Sequence, residues 1–360
     1  MKKIILTGGG TAGHVTPNIA LFDALRQKGY DIAYIGGKNS MEESLLKNYK
    51  MRYYGISTGK LRRYFDVKNF TDPFRIVKGI GDALSVIRKE KPNIVFSKGG
   101  FVAVPVVLAA RLAKVPVVVH ESDISPGLAN KLSVPFSNAV CVSFPQTADK
   151  FPKNKVFITG TPIRQNIKNG DKQRGLKLCG FENEKPVILV IGGSSGSIKI
   201  NRSIRSSLDK ILCCGNIIHI CGKGNVDEKL FGKIGYAQFD YVTDELAHLF
   251  AAADVVVSRA GANAVNEFLE LRKPSLLIPL GSSASRGDQI LNARFFVENG
   301  YSKILYEDEM TPDELNLQII DLVANRKNYI LKMEQSVVSD GVSKIINVIE
   351  KYYKKQERSR

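Results

Sequence analysis

His14 stands at the mouth of a glycine cluster, Gly8, Gly9, Gly10 and Gly13, in the stretch IILTGGGTAGHVTP (4–17). Imidazole titrates near working pH, so a histidine there is a candidate general base. Glycines let a ligand approach the backbone, and a helix N-terminus attracts phosphate. Gly8-x-Gly10-x-x-Gly13 formally matches the dinucleotide fingerprint, which also wants an acidic residue at the end of the second strand. Asp31 lies at the start of that strand, Asp31–Ile35, so the pattern disfavours a nicotinamide-dependent oxidoreductase. A second cluster, SRAGANAVNE (258–267), follows the apolar strand Asp254–Val257. Arg259 could meet a phosphate, Ala260, Gly261 and Ala262 are small enough for backbone contact, and Glu267 could accept both hydroxyls of a ribose. Downstream, Asp288 and Gln289 have the chemistry to bind sugar hydroxyls, although alone they read as an ordinary helix start.

In the first half, His120-Glu121-Ser122-Asp123 ends the strand Val115–Val119, and Ser97-Lys98-Gly99-Gly100-Phe101 ends another. Strand C-terminal ends are where open α/β sheets bind ligands. His120 taken alone reads as a core histidine, and the glycines at 99 and 100 fit a tight turn as well as a substrate contact. The Glu121-x-Asp123 pair raises a metal role. No D-x-D occurs, and His14, His120, His219 and His248 are far apart in sequence, so no metal and no cofactor is expected.

These residues need strands and helices to position them, and the pattern supplies both. Expected strands are 3–7, 31–35, 52–57, 93–97, 116–120, 139–143 and 155–159, with helices near 17–28, 41–48, 73–90, 103–113, 126–134 and 145–150. Continuous apolar runs such as Val115–Val119 suit parallel strands covered on both faces. The pattern breaks around Gly160–Gln165, and a second series opens at Pro186: strand Val187–Ile191, glycine turn Gly192–Ser197, helix Ile198–Leu212. Further strands are expected at 216–221, 236–239, 254–258, 275–279 and 302–305, and a last helix at Ser343–Tyr353. The expected fold is α/β, with two Rossmann-like doubly wound parallel-sheet domains facing across a cleft, the GT-B arrangement. Its divisions are 1–163, an acceptor and membrane-associating domain, 164–340, a donor-binding domain, and 341–360, a helix packing back toward the first.

Composition narrows the class. The chain has 360 residues and a net charge of +17. Residues 1–165 hold 25 Lys and Arg against 11 Asp and Glu, while 166–360 hold 27 against 24. A lopsided basic half suggests a polyanionic partner: nucleic acid, an anionic membrane surface or a phosphorylated substrate. The chain lacks a recognisable nucleic-acid module, so nucleic acid is not expected. No apolar run reaches the roughly 18 residues of a membrane span, and no signal peptide is read at Met1-Lys2-Lys3. Five cysteines without metal-ligand spacing read as thiols in a reducing compartment.

Taken together, GGGTAGHVTP (8–17), SKGGF (97–101), HESD..PGLANK (120–131), GTPIR (160–164), GGSSGS (192–197), SRAGANAVNE (258–267) and GDQILNA (287–293) closely resemble the MurG family over essentially the whole chain. These are the undecaprenyldiphospho-muramoylpentapeptide β-N-acetylglucosaminyltransferases of bacterial cell-wall synthesis. The resemblance implies transfer of N-acetylglucosamine from UDP-GlcNAc to the C4 hydroxyl of the muramoyl sugar of lipid I, giving lipid II. It implies that Thr11, Ala12 and Gly13 lie at the GlcNAc and diphosphate end of the donor, with Arg164 and Ser194 near its phosphates and sugar. It places the backbone of Val242 against uracil, Ala262, Asn263, Ala264 and Glu267 around ribose and diphosphate, and Gln289 on GlcNAc. Two residues depart from the family pattern: Ala12 replaces a glycine, and Asp123, grouped with the donor contacts, replaces an asparagine. A carboxylate accepts only, whereas an amide also donates.

An α-linked donor and a β-linked product imply inversion, which needs a base on the face opposite the leaving UDP. His14 is the first candidate and Glu121 the second, unless Glu121 orients a partner. Backbone N–H groups at 258–263 and Arg259 are expected to meet the leaving-group charge. Gly99, Gly100 and Phe101 are expected on the acceptor side. Lys60, Arg62, Arg63, Lys68, Arg75 and Lys78 intersperse Phe65, Phe70, Phe74, Ile76, Val77 and Ile80, a mixture suited to an anionic bilayer unless the apolar residues are simply a core face. The expected location is peripheral, on the cytoplasmic face of the bacterial membrane, with cell-wall or division proteins as possible partners. The competing reading is a related UDP-sugar enzyme acting on another lipid acceptor.

Overall fold

The computed structural model describes residues 1–59, 68–193, 196–281, 287–336 and 340–357, without the side chains of 68–73 and 357. Lys60, Arg62, Arg63, Phe65 and Ser194 lie outside the described residues, as do the side chains of Lys68 and Phe70. The chain divides into two compact units, Met1–Arg164 with Asp340–Arg360, and Gln165–Ser339.

The first unit holds seven strands: β1 Lys2–Thr7, β2 Tyr30–Gly37, β3 Arg52–Ile56, β4 Ile94–Ser97, β5 Val117–Glu121, β6 Ala139–Val142 and β7 Val156–Ile158. They lie in the order β3-β2-β1-β4-β5-β6-β7 with every pair parallel. The period-two alternation of strands divides its side chains between two cores. Ile4, Leu6, Ile32 and Tyr34 face one, which the helix Gly341–Glu357 closes with Val342, Ile345, Ile346, Val348, Ile349 and Tyr353. Ile5, Ala33 and Ile35 face the other, against Ala83, Ile87, Val106 and Ala109 from two helices.

The second unit holds β8 Val187–Ile191, β9 Asn216–Ile220, β10 Tyr236–Phe239, β11 Val255–Ser258, β12 Ser275–Leu277 and β13 Ser302–Ile304. Their order is β10-β9-β8-β11-β12-β13, again all parallel. In each sheet the strand order reverses beside the first strand, between β1 and β4 and between β8 and β11. That reversal is the topological switch point where doubly wound sheets bind ligands.

Two helices differ from the sequence expectation. The first helix begins at Ala12, not near Pro17, and Pro17 lies inside it. Gly10 takes a left-handed φ of 86°, so the turn closes in fewer residues than four clustered glycines suggest. Pro17 supplies no N–H to the preceding turn, and the helix stops at Ile19 before a second one, Phe22–Gln27. The expected helix Ile198–Leu212 is two helices, Ile198–Ser206 and Leu208–Cys214, joined at Ser207, whose hydroxyl donates to the Pro312 carbonyl at 2.7 Å.

Candidate active site

In the second unit, the turns after β8 and β11 border a pocket of about 600 Å³. Its wall includes Gly192, Gly193, Ser258, Arg259, Gly261, Ala264 and Gln289. Gly193 and Gly196 have φ of 97° and 75°, and a Cβ on Gly196 would collide with the Cys221 carbonyl. Only glycine therefore suits this turn. Ser197 caps the helix Ile198–Ser206 by accepting from the Ile200 N–H. The helix Ala262–Glu270 starts at Gly261 with no side-chain cap, and its N-terminus lies at the pocket wall. Asn263, Ala264 and Glu267 are half-buried on this helix, and Ala262 is buried. Asn292 Nδ2 donates to the Ala260 carbonyl at 3.2 Å and Ser258 Oγ to the Ile191 carbonyl at 2.8 Å, fixing the turn from both sides. Gln289 Oε1 accepts from the Leu280 N–H at 3.1 Å, which orients its amide.

Arg259 lines the pocket but does not present a free cation to it. It is 8% exposed, and Nη1 donates to the Ile278 carbonyl at 3.1 Å. Nη2 donates to Ser197 Oγ at 2.8 Å and to Glu307 Oε1 at 2.5 Å. Arg259 thus acts as a strut, which ties the glycine turn after β8 to the loop after β13. Glu307, and the Lys199 ammonium 3.9 Å from its Oε2, went unnoticed because nothing in sequence links position 307 to 259. Val242 is half-buried on the loop after β10 and is not part of this pocket's wall.

Thr11, Ala12, Gly13, Asp123 and Arg164 belong to the first unit, and the remaining described donor candidates to the second. At the first switch point the turns after β1 and β4 interlock. A Cβ on Gly100 would collide with the Gly9 carbonyl, and one on Gly10 with the Phe101 ring. The turn is braced from behind by residues the sequence did not single out. Tyr34 donates its hydroxyl to the Gly8 carbonyl at 2.6 Å, and Asn18 Nδ2 donates to the Tyr34 oxygen at 3.0 Å. The buried Glu42 carboxylate accepts from Gly37 N–H at 2.9 Å and Gly10 N–H at 3.3 Å. The Glu42 carboxylate thus occupies one amide of this turn. His14 is the third residue of its helix, with Nδ1 2.9 Å from Thr11 Oγ1.

The loop after β5 is held by Glu121. Its Oε1 accepts from the Asp123 N–H at 3.0 Å, and its Oε2 accepts from Gly127 N–H and Asn130 Nδ2, both at 2.9 Å. Three donors on a buried carboxylate make Glu121 a brace of this loop. His120 is buried, and its Nε2–H donates to the Gly160 carbonyl at 2.9 Å. Burial, and then the Lys98 charge, hold it well below the usual histidine range, so it is neutral. Arg164 Nε is buried without a hydrogen-bond partner among the described residues. Among the described residues no three His, Cys, Asp or Glu side chains converge on one point.

The profile of the glycosyltransferase family 28 N-terminal domain matches residues 4–142, and that of its C-terminal domain matches 187–349. A Clostridium kluyveri protein named UDP-N-acetylglucosamine--N-acetylmuramyl-(pentapeptide) pyrophosphoryl-undecaprenol N-acetylglucosamine transferase is 55% identical over 98% of this chain and 100% of its own length. The chain belongs to the MurG family. A Clostridium tetani protein of the same name is 56% identical over 98% of both chains. The crystal structure of Acinetobacter baumannii MurG superposes with a TM-score of 0.77 at 27% identity, covering 98% of this chain and 100% of that one. A kitacinnamycin glycosyltransferase at 15% identity and a TM-score of 0.74, covering 98% of this chain and 99% of that one, shares the fold alone. Both switch points lie within the matched residues.

Proposed function

We propose that this chain transfers N-acetylglucosamine from UDP-GlcNAc to the C4 hydroxyl of the muramoyl sugar of undecaprenyl-diphospho-MurNAc-pentapeptide, lipid I, giving lipid II for peptidoglycan. The observation that carries this reading is the near-full-length identity to proteins named for the same reaction. The pocket between the turns after β8 and β11 takes the UDP portion, with the uncapped N-terminus of the helix Ala262–Glu270 facing developing negative charge on the leaving diphosphate. Glu267 holds the ribose and Gln289 the GlcNAc. The turns after β1, β4 and β5 take the acceptor, with Gly99, Gly100 and Phe101 beneath it.

His14 is the base. If its Nδ1–H donates to Thr11 Oγ1, the lone pair sits on Nε2 and can take the C4 hydroxyl proton as the oxygen attacks the anomeric carbon. One displacement inverts the α-linked donor to a β-linked product and needs no metal. Glu121 keeps the loop in place and does not exchange the proton.

The enzyme works as a peripheral protein on the cytoplasmic face of the membrane. On the helix Lys68–Glu90, Phe74 is 79% and Val77 68% exposed, flanked by exposed Arg75 and Lys78. Large apolar side chains beside cations match an anionic bilayer. Among the described residues no helix is long and apolar enough to cross a membrane. Proteins of cell-wall synthesis and division are expected partners at that surface. The test is a transfer assay with labelled UDP-GlcNAc and a shortened-lipid lipid I analogue, in EDTA, with UDP-GalNAc as a parallel donor. Transfer from UDP-GlcNAc alone supports the reading; donor binding without transfer sends the search to another lipid acceptor.

A further inference from the structure

Lys98 follows β4 directly, its N–H continuing the ladder to the Thr7 carbonyl at 2.8 Å. Its side chain turns inward and is 2% exposed. The ammonium donates to Ser122 Oγ, in the loop after β5, and its stem packs under the first glycine turn, where a Cβ on Gly8 would meet Lys98 Cβ at 3.1 Å. A fully buried cation is costly, and a position serving packing alone is better filled by an apolar side chain. The carboxylates of Glu121 and Asp123 sit two residues apart around Ser122, and the Asp123 N–H is already bonded to Glu121. Both carboxylate charges act favourably on the buried ammonium.

We propose that Lys98 is a positioning residue for the acceptor half of the reaction: its buried ammonium ties the loop after β5 to the turns after β1 and β4, through Ser122 and the charges of Glu121 and Asp123. This rests on the reading that those turns take the acceptor. Around Lys98 the titratable groups are Glu121 and Asp123 on one side, and His120 and Cys141 on β5 and β6. His120 is neutral, and burial pushes the Cys141 thiol up to about 12. Burial pulls Lys98 itself down to about 8, against the pull of the two carboxylates. Below that pH the loop is tied; above it the ammonium loses its proton, Ser122 loses a charge-assisted bond, and the carboxylates lose their counter-charge.

The experiment is a pH series on the full-length protein with UDP-GlcNAc and a shortened-lipid lipid I analogue, using wild type, Lys98→Met, Lys98→Arg and Ser122→Ala. A urea melt followed by circular dichroism, with a transition for each unit, reports that each variant is folded. The expected result is an acceptor kcat/KM that falls as pH rises past about 8 in wild type, while the donor KM stays flat. Lys98→Met should lose at least about tenfold in acceptor kcat/KM and lose the alkaline limb, and Lys98→Arg should carry activity beyond that limb. Should Lys98→Met fail to fold, Ser122→Ala decides, by an acceptor KM raised severalfold. Wild-type acceptor kinetics and an unchanged alkaline limb in the variants would overturn the proposal. No transfer to the lipid I analogue by wild type removes the acceptor reading and the proposal with it, a result distinct from transfer that ignores position 98.

Discussion

Glu307 Oε1 lies 2.5 Å from Arg259 Nη2, although the residues are 48 apart in sequence and on different loops. Arg259 also holds Ser197, so one guanidinium joins three segments at the wall of the pocket proposed for UDP. Glu307→Ala leaves this cation without its carboxylate and should cost about 1–3 kcal/mol of stability in the absence of nucleotide. UDP can replace the lost negative charge, so the rise in melting temperature on adding UDP should be larger in the variant than in wild type. A smaller rise would mean that Glu307 supports the donor in some other way.

Removing the proposed base should leave the donor site intact. His14→Ala is expected to lose about 10²–10⁴ in kcat while UDP-GlcNAc affinity is unchanged. Thr11→Val removes the hydroxyl beside Nδ1 and should cost roughly tenfold through loss of the favoured tautomer. Turnover near the wild-type rate in His14→Ala would exclude His14 as the base.

The exposed face of the helix Lys68–Glu90 predicts two separable membrane effects. Arg75→Glu with Lys78→Glu should lower binding to anionic vesicles by more than roughly thirty-fold, since each basic residue near such a surface contributes about 1 kcal/mol. Phe74→Ser with Val77→Ser should weaken binding to neutral and anionic vesicles alike. Co-sedimentation at low and high salt checks both; charge variants that sediment like wild type would remove this surface from consideration.

Acid should destabilise both units through buried histidines. His219 Nε2–H donates to Asn201 Oδ1 at 3.0 Å and Nδ1 accepts from the Tyr236 hydroxyl at 2.8 Å. Burial pulls it from 6.5 to about 3. Below pH 6.5 the unfolded chain binds a proton that the folded chain refuses, so stability falls as pH drops toward 3, by about 1.4 kcal/mol per pH unit for this group. His120 contributes in the same direction in the first unit. Urea titrations over this range should show the slope, and His219→Gln should reduce it for the second unit.

Lys98 gives the same sign at alkaline pH. The folded group loses its proton near 8 and the unfolded one near 10.5. Between those values the unfolded state binds more protons, so stability rises with pH, by roughly 3 kcal/mol in all. Stability climbing while acceptor kinetics decline would be hard to obtain from general unfolding; denaturant melts across that window are the check.

The sheets were legible because buried parallel strands are short apolar runs, as in Val117–Glu121, and the glycine turns were legible because left-handed backbone selects glycine. Pro17 misled because proline is commonest at a helix start, while here Gly10 allows the helix to begin five residues earlier. The partners that make the turns rigid were invisible. Glu42 beneath Gly10, Glu307 beside Arg259 and Lys98 under Ser122 are single polar residues whose neighbours come from distant segments, and no periodicity marks them. Glu121 shows the same limit: its residue type suits a base, and only the three N–H groups around it reveal a brace.

The helix Gly341–Glu357 supplies six buried side chains to a core whose other buried members come from the first 141 residues. During synthesis the opening half of the protein therefore leaves the ribosome with part of one face of its sheet uncovered. It waits there while the whole second unit, Gln165–Ser339, is made. The second unit has its own closed core and can mature first. A chain broken off before Gly341 keeps every residue of the glycine motifs yet leaves the first unit with an open, sticky sheet, so premature termination yields material for proteases and not a slow enzyme.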